Sequence, residues 1–249
     1  MSGHNKWSTI KHKKGKADAI RGRVFTKIIK EITISARMGG GDVSANPRLR
    51  KAILDAKAAN MPADNISRAV KKGTGELEGV NYEEITYEGY GPGGTAILVD
   101  VTTDNRNRAI TELRMVFNKK GAKLAELGAV AYLFSTVGQI SIPATAIGED
   151  DLMMLALDAG ASDVQTDDDL YTVTTDFADM WVVRDRLESG GLTIADVKVA
   201  KVASTIVELA GKDAESMMTL LDALEDLDDV QNVWSNFDLD AETAALLAQ

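Results

Sequence analysis

The sequence predicts a multidomain α+β protein, with an N-terminal three-helix bundle followed by two domains that contain β-sheets. Three observations lead to this prediction. Apolar residues recur at helical spacing up to Gly73, and the alternation typical of strands replaces that spacing beyond Gly75. From residue 139 onward, strands and helices are predicted in the order βαββαβ. With 249 residues, 45% of them hydrophobic, the chain is long enough for two or three domains with cores of their own.

Three helices are predicted in the N-terminal region. The first covers residues 16 to 38 and ends at Gly39-Gly40-Gly41. The second opens at Asn46-Pro47, where an N-cap residue precedes a proline at the first helical position. The third extends from about Pro62 to Gly73, a glycine of the kind that stops a helix. One face of each helix is apolar, so the three are expected to pack together as a bundle.

Strands and one helix are predicted after the bundle. Residues 83 to 89 and 94 to 102 have strand patterns. Asp104 is expected to cap a helix that extends to about Lys120, and residues 129 to 134 are expected to form a further strand.

The βαββαβ segment is typical of a ferredoxin-like domain. Its elements are a strand from Gln139, a helix over 149 to 159, a short strand near 163, a strand over 170 to 175, a helix over 177 to 189 and a strand over 196 to 202. The later elements are a strand over 205 to 209, a helix around 217 to 227 and a strand over 230 to 237. They are too few for a sheet of their own, so we expect them to join residues 82 to 135.

This arrangement predicts two ferredoxin-like α+β domains, the last of them inserted in the middle one. The predicted domains are a basic helical nucleic-acid-binding domain (1–78), a discontinuous α+β domain (79–136 and 204–240), an inserted βαββαβ domain (137–203) and a tail (241–249).

Charge is strongly segregated along the chain. Residues 1 to 72 contain 17 Lys and Arg against 5 Asp and Glu, a net charge of +12, within a protein whose total is −10. The remaining 177 residues therefore carry a net charge of −22. Solubility alone does not require such segregation. The concentration of positive charge at one end of the chain predicts that the N-terminal region binds a polyanion.

Several side chains are candidates for nucleic-acid contact. They lie in a basic N-terminal segment, on the outer face of the first helix, on the second helix and at the start of the helix after Asp104. The candidates are Lys6, Trp7, Lys11, Lys13, Lys14, Lys16, Arg23, Lys27, Lys30, Arg37, Arg48, Arg50, Lys51, Arg106 and Arg108. Trp7 either stacks on a base or anchors the segment to the bundle. Arg106 and Arg108 either contact phosphate at a helix N-terminus or are ordinary surface arginines.

Composition argues against an enzyme and against a bound metal or cofactor. The chain has no cysteine and two histidines, which leaves no thiol nucleophile, zinc-thiolate site or histidine cluster. The run from Gly89 to Gly94 matches G-x-G-x-x-G, but a strand follows it where a dinucleotide site needs a helix, so a turn is predicted. No apolar run approaches the roughly 18 residues of a membrane span, and a cytoplasmic location is expected.

Several runs of residues together carry a resemblance to a known family. They are Ser2-Gly3-His4-Asn5-Lys6-Trp7, Phe25-Thr26-Lys27, Gly39-Gly40-Gly41-Asp42, Asn46-Pro47-Arg48-Leu49-Arg50, Ala59-Asn60-Met61-Pro62, Tyr87-Glu88-Gly89-Tyr90-Gly91-Pro92-Gly93-Gly94 and Thr103-Asp104-Asn105-Arg106-Asn107-Arg108. On these runs the chain closely resembles the YebC family, which includes the mitochondrial translational activator of cytochrome c oxidase. The resemblance implies a cytoplasmic, non-enzymatic regulator with one helical and two α+β domains.

The resemblance leaves two targets open, because family members are treated either as DNA-binding probable transcriptional regulatory proteins or as ribosome-associated factors. We expect a ribosome-associated translation factor that acts through rRNA or tRNA contacts, since the sequence has no evident dimerisation stripe of the kind that helix-turn-helix operator binders use. The alternatives are a DNA-binding transcriptional regulator and a scaffold whose acidic domains bind a protein partner.

Overall fold

A computed structural model of the chain describes residues 19–167 and 169–247. Their contacts divide them into two compact units. The first unit comprises 19–131 and 209–233, and the second comprises 132–208, with residue 168 excepted, and 234–247. Each unit therefore combines an earlier and a later segment of the chain.

Three helices begin the first unit, as the sequence predicts. They are α1 (Ala19–Gly39), α2 (Pro47–Ala58) and α3 (Ala63–Thr74). Asn46 caps α2, because its side chain accepts a hydrogen bond of 3.0 Å from the backbone N–H of Leu49. The Asn46 amide also donates to the carbonyl oxygens of Ser35 and Gly40, both at 2.9 Å. This predicted cap thus joins the start of α2 to the end of α1.

The helices α1 and α3 approach each other closely at Gly73. A Cβ atom added there would lie 2.4 Å from the carbonyl oxygen of Thr33 and 2.7 Å from Cβ of Ala36. The bundle core nearby contains Ile32, Leu49 and other small or branched apolar side chains. Because only glycine fits at this crossing, its position fixes which face of α3 turns inward.

A four-stranded sheet belongs to the same part of the fold. Its strands are β1 (Glu83–Tyr90), β2 (Ala96–Thr103), β3 (Lys123–Leu124) and β9 (Val230–Ser235), and their order is β3-β1-β2-β9. Between β1 and β2, which are antiparallel, Pro92–Gly94 forms a short 3₁₀ turn with positive φ at Gly93 and Gly94. The glycine-rich run therefore joins two strands, which confirms the turn predicted for it.

Two helices complete the first unit, α4 (Arg106–Lys119) and α7 (Gly211–Glu225), and they contact each other. The prediction that Asp104 caps α4 is wrong, because the Asn105 side chain accepts the hydrogen bond from the backbone N–H of Arg108 at 3.0 Å. Asp104 instead accepts a hydrogen bond from the Arg108 side chain.

The strand predicted over residues 129 to 134 is also wrong in most of its length. Residues Ala131–Leu133 form a 3₁₀ turn, and the strand begins only at Phe134. The buried carboxylate of Glu88 accepts hydrogen bonds from the backbone N–H groups of Gly128, Val130 and Ala131 at 2.5–2.8 Å. Those N–H groups therefore bond a side chain and do not form a strand ladder.

The second unit contains the predicted ferredoxin-like arrangement. Its elements are β4 (Phe134–Pro143), α5 (Glu149–Ala159), β5 (Asp163–Asp167), β6 (Leu170–Asp176), α6 (Met180–Ser189) and β7 (Asp196–Ala203). The sheet order is β5-β6-β4-β7 and each adjacent pair is antiparallel. The core lies between this sheet and the two helices, and includes Ile140, Leu152, Val173 and Leu187.

Three short elements remain, namely β8 (Val207–Leu209), β10 (Phe237–Leu239) and α8 (Ala241–Leu247). The strands β8 and β10 pair as a two-stranded sheet, and α8 occupies most of the segment predicted as a tail. The insertion of residues 137–203 into a discontinuous domain stays a prediction. No helix in the described ranges is both long and apolar enough to cross a membrane.

Candidate nucleic-acid interface

The cations predicted on the outer face of α1 lie against residues 225–229, an acidic turn that begins at the last residue of α7. Arg23 forms an ion pair with Asp226. Lys27 Nζ donates to the carbonyl oxygen of Glu225 at 2.7 Å. Lys30 Nζ donates to the carbonyl oxygen of Asp228 at 2.8 Å and to the carboxylate of Asp229. The structure therefore brings three predicted site residues together, but their charged groups bind oxygen atoms of the protein itself.

Asp229 is the centre of this contact. Its buried carboxylate accepts hydrogen bonds from Lys30, from Arg108 Nη2 at 2.7 Å and from Thr103 Oγ1 at 2.8 Å. Burial by itself raises the pKa of Asp229, but these three hydrogen bonds together lower that pKa below its usual range. The Lys30 ammonium also lies 5.9 Å from the centre of the Tyr82 ring, a cation–π contact. The cluster joins α1 to Thr103 at the end of β2 and to Arg108 at the start of α4.

The expectation that Lys30 faces solvent is wrong, since this residue is 6% exposed. A helical wheel identifies the polar face of α1, but it does not show what packs on that face. A buried ammonium group persists only when it is paired and hydrogen-bonded, and the turn at 225–229 supplies both partners. Changing Arg23, Lys27 and Lys30 together to glutamate would place a new carboxylate beside that of Asp229. Such a variant would disturb the packing of the protein as well as its charge, so it does not test nucleic-acid binding alone.

The other predicted cations of the bundle are also engaged. Arg37 donates to the carbonyl oxygens of Val80 and Tyr82 at 3.1 and 3.3 Å. Arg50 donates to the carbonyl oxygens of Val43 and Ser44. Lys51, on the outer side of α2, forms an ion pair with Asp55.

Arg48 bridges two acidic side chains from different elements. It donates to both carboxylate oxygens of Glu31 on α1 and of Glu84 on β1. Burial alone lowers the pKa of Arg48, but the hydrogen bonds to Glu31 and Glu84 outweigh it and raise the pKa above its ordinary value. The two ion pairs of Arg48 therefore connect the bundle to the sheet.

The two arginines at the start of α4 differ. Arg108 forms ion pairs with Asp104 at 2.8 Å and with Asp229 at 2.7 Å, which makes it a member of the Asp229 cluster. Arg106 is exposed and forms no ion pair with any described residue. Phosphate contact by Arg106 stays a prediction. Lys6, Trp7, Lys11, Lys13, Lys14 and Lys16 lie outside the described residues.

Four cations that are absent from the predicted set are exposed and unpaired within the described part of the bundle. They are Lys57, Arg68, Lys71 and Lys72. Helical spacing could have identified three of them as a cationic surface, because Arg68, Lys71 and Lys72 recur on α3 opposite its apolar positions. That signal is weak in the sequence alone, since cations near a helix C-terminus are also explained by the helix dipole.

A cleft with a volume of about 710 Å³ lies beside the Asp229 cluster. Its lining contains three cations, Arg23, Lys30 and Arg108, and five carboxylates, which are those of Asp104, Glu112, Asp226, Asp228 and Asp229. The cleft is therefore not a positive surface for phosphate. Within the described ranges, no group of histidine and carboxylate side chains is arranged to hold a metal ion.

Comparison with known proteins covers nearly the whole chain. A family model described as the TACO1/YebC protein N-terminal domain matches residues 5–76, and one described as the TACO1/YebC second and third domain matches residues 82–237. A "Probable transcriptional regulatory protein" of Desulfatibacillum aliphaticivorans is 57% identical over 239 residues, which are 96% of this chain and 97% of that protein. One from Trichlorobacter lovleyi with the same name is 56% identical over 242 residues, 97% of this chain and 98% of that protein.

A solved structure is also similar. The crystal structure of a conserved hypothetical protein from Aquifex aeolicus has a TM-score of 0.82 and 45% sequence identity, and the match covers 90% of this chain and 93% of that one. The agreement at this identity supports the mixed α+β fold with N-terminal helices.

Proposed function

Since the chain belongs to the TACO1/YebC family, we propose that it is a non-enzymatic regulator of gene expression that binds nucleic acid in the cytoplasm. The proposed target is the ribosome, and the proposed contacts are to the phosphates of its RNA. The N-terminal residues up to about 78 carry these contacts.

The charge distribution is the observation that carries this proposal. The net charge of +12 in residues 1 to 72 exceeds what the ion pairs with Glu84, Asp226 and Asp229, which lie outside this range, neutralise, and exposed cations remain on α2 and α3. A basic surface on an otherwise acidic protein directs a polyanion to one region and repels it elsewhere. This favours binding in a defined orientation.

The ribosome is favoured as the target because its RNA is recognised largely by shape and by phosphate and ribose contacts. In the described part of the bundle, the large apolar side chains that are most exposed, Met38 and Leu54, lie on different helices and do not form a heptad seam. Operator binders of the helix-turn-helix class commonly dimerise to read two half-sites. The bundle thus suits phosphate and shape recognition better than it suits a symmetric operator.

DNA-binding transcriptional regulation is the second candidate, and it is favoured by the relatives, which are called probable transcriptional regulatory proteins. The same basic surface serves either target, because phosphate contacts carry no sequence information.

Sedimentation with ribosomes at near-physiological salt tests the proposal against this alternative. We expect the full-length protein to sediment with ribosomes and to show little preference among DNA sequences. A protein that stays at the top of the gradient, yet prefers one DNA site by about 10³-fold over random DNA, would make the transcriptional function correct. A protein that binds neither ribosomes nor DNA would overturn both.

A further inference from the structure

We propose that the outward face of α3, formed by Arg68, Lys71 and Lys72, is the main surface of the folded bundle that contacts ribosomal RNA phosphates. These three residues are called the α3 cationic face below. The inference rests on the proposed function and identifies a binding surface within it.

Between Arg23 and Lys72, the α3 cationic face holds three of the four basic side chains that have no partner among the described residues. The basic side chains engaged with protein oxygen atoms are Arg23, Lys27, Lys30, Arg37, Arg48, Arg50 and Lys51. A phosphate that approached these groups would compete with the carboxylates and carbonyls that already occupy some of their N–H donors. Arg68, Lys71 and Lys72 are exposed, and no ion pair or hydrogen bond with a described residue engages their charged groups.

The packing of α3 directs these side chains outward. Ile66, Ala69 and Gly73 are buried against the rest of the bundle. At about 100° of rotation per residue, positions 68, 71 and 72 lie on the opposite side of the helix, within about one turn of one another. A Cβ added at Gly73 would lie 2.4 Å from the carbonyl oxygen of Thr33, so α3 packs closely on α1 at this point. The α3 cationic face is therefore on the side of the helix that faces away from α1.

Helix stability explains only part of this arrangement. Lys71 and Lys72 lie in the last turn of α3, where cations interact favourably with the helix dipole. Arg68 lies a turn earlier, and like charges three and four residues apart on a helix repel each other. Asp64 precedes Arg68 by four residues, but the two form no ion pair. A ligand with several negative charges would relieve the repulsion among the three cations.

A pair of matched charge-removal variants tests this inference in the full-length protein. The first variant combines Arg68→Gln, Lys71→Gln and Lys72→Gln. The control combines Lys119→Gln, Lys120→Gln and Lys123→Gln, which removes the same charge from the α4–β3 connection of the same unit. Affinity for purified ribosomes and for a mixed-sequence DNA duplex is measured over a series of salt concentrations, and circular dichroism confirms the fold.

We expect the α3 variant to bind ribosomes at least about tenfold more weakly than the control. The slope of log affinity against log salt should fall by about 2 to 3, at roughly 0.7 to 0.9 for each phosphate that the variant no longer neutralises. If the triple variant fails to fold, the single variant Arg68→Gln should still weaken binding about threefold and lower the slope by roughly 1.

Two results would overturn the inference. One is equal ribosome affinity of the α3 variant and the control, with wild-type protein binding well, which would leave the proposed function intact. The other is a loss of DNA binding by the α3 variant without a loss of ribosome binding. Absence of ribosome binding by the wild-type protein would instead refute the proposed function itself.

Discussion

Lys30 and Asp229 are 199 residues apart in the chain, yet their side chains form an ion pair in which they are 7% and 5% exposed. The pair joins the first helix to the turn that precedes β9. Arg108 and Thr103 complete the hydrogen bonding of the same carboxylate. The helical bundle and the sheet of the first unit are thus connected through a buried polar cluster, and this relationship leads to the first two predictions.

Lys30→Met should lower the free energy of unfolding by about 3 kcal/mol, because it leaves a buried carboxylate without one of its cations. The value lies at the low end for a broken buried pair, since Arg108 and Thr103 still contact Asp229. Arg23→Met is the matched control. Its pair with Asp226 is 41% and 66% exposed, so it should cost no more than about 1 kcal/mol. Denaturant titration measures both, and equal costs would contradict a structural role for Lys30.

Asp229 should also contribute a pH-dependent part of the stability. Its pKa is lowered in the folded protein, so the stabilisation is present above the unfolded-state pKa of about 3.9 and is lost as the pH falls through the folded value. We expect Asp229→Asn to be less stable than wild type at neutral pH. The difference in stability between the two proteins should become smaller below about pH 4. Thermal melts at a series of pH values measure this difference. A difference that stays constant on acidification would exclude the linkage.

Glu88→Gln should loosen the segment from Gly128 to Ala131. The carboxylate accepts three backbone N–H groups, whereas a glutamine offers one oxygen and turns an NH₂ donor toward the remaining N–H groups. The expected loss of stability is about 1–3 kcal/mol. Hydrogen exchange should become faster at residues 128, 130 and 131. Glu83→Gln, at the exposed start of the same strand, is the control and should leave that exchange unchanged.

Gly73→Ala should destabilise the bundle by about 1–3 kcal/mol, because the new methyl group would overlap the carbonyl oxygen of Thr33. Gly22→Ala in α1 is the matched control, since nothing lies within 4 Å of a Cβ at that position. That control should be neutral or more stable by up to about 1 kcal/mol, as alanine favours a helix. Thermal denaturation compares the two, and an unchanged melting temperature for Gly73→Ala would show that the helices separate without cost.

The elements that the sequence predicted correctly are those determined by neighbouring residues. Asn46 followed by proline marks the start of α2, and the order of strands and helices after Gln139 produces the observed β5-β6-β4-β7 sheet. The errors have a common cause, which is that neighbouring groups compete for the same hydrogen bonds. Asn105, and not Asp104, accepts the bond that caps α4. The carboxylate of Glu88 accepts backbone N–H groups of a segment that was predicted to be a strand, and that segment forms a turn.

Periodicity, capping residues and composition are read along the chain, so they were sufficient to predict the three-helix bundle, the ferredoxin-like segment and the segregation of charge. Which cations remain exposed was not predictable in this way. The acidic turn at 225–229 binds Arg23, Lys27 and Lys30, while Arg68, Lys71 and Lys72 have no such partner among the described residues. The pairing of a charge depends on which distant segment packs beside it, because electrostatic contacts act through space and not along the sequence.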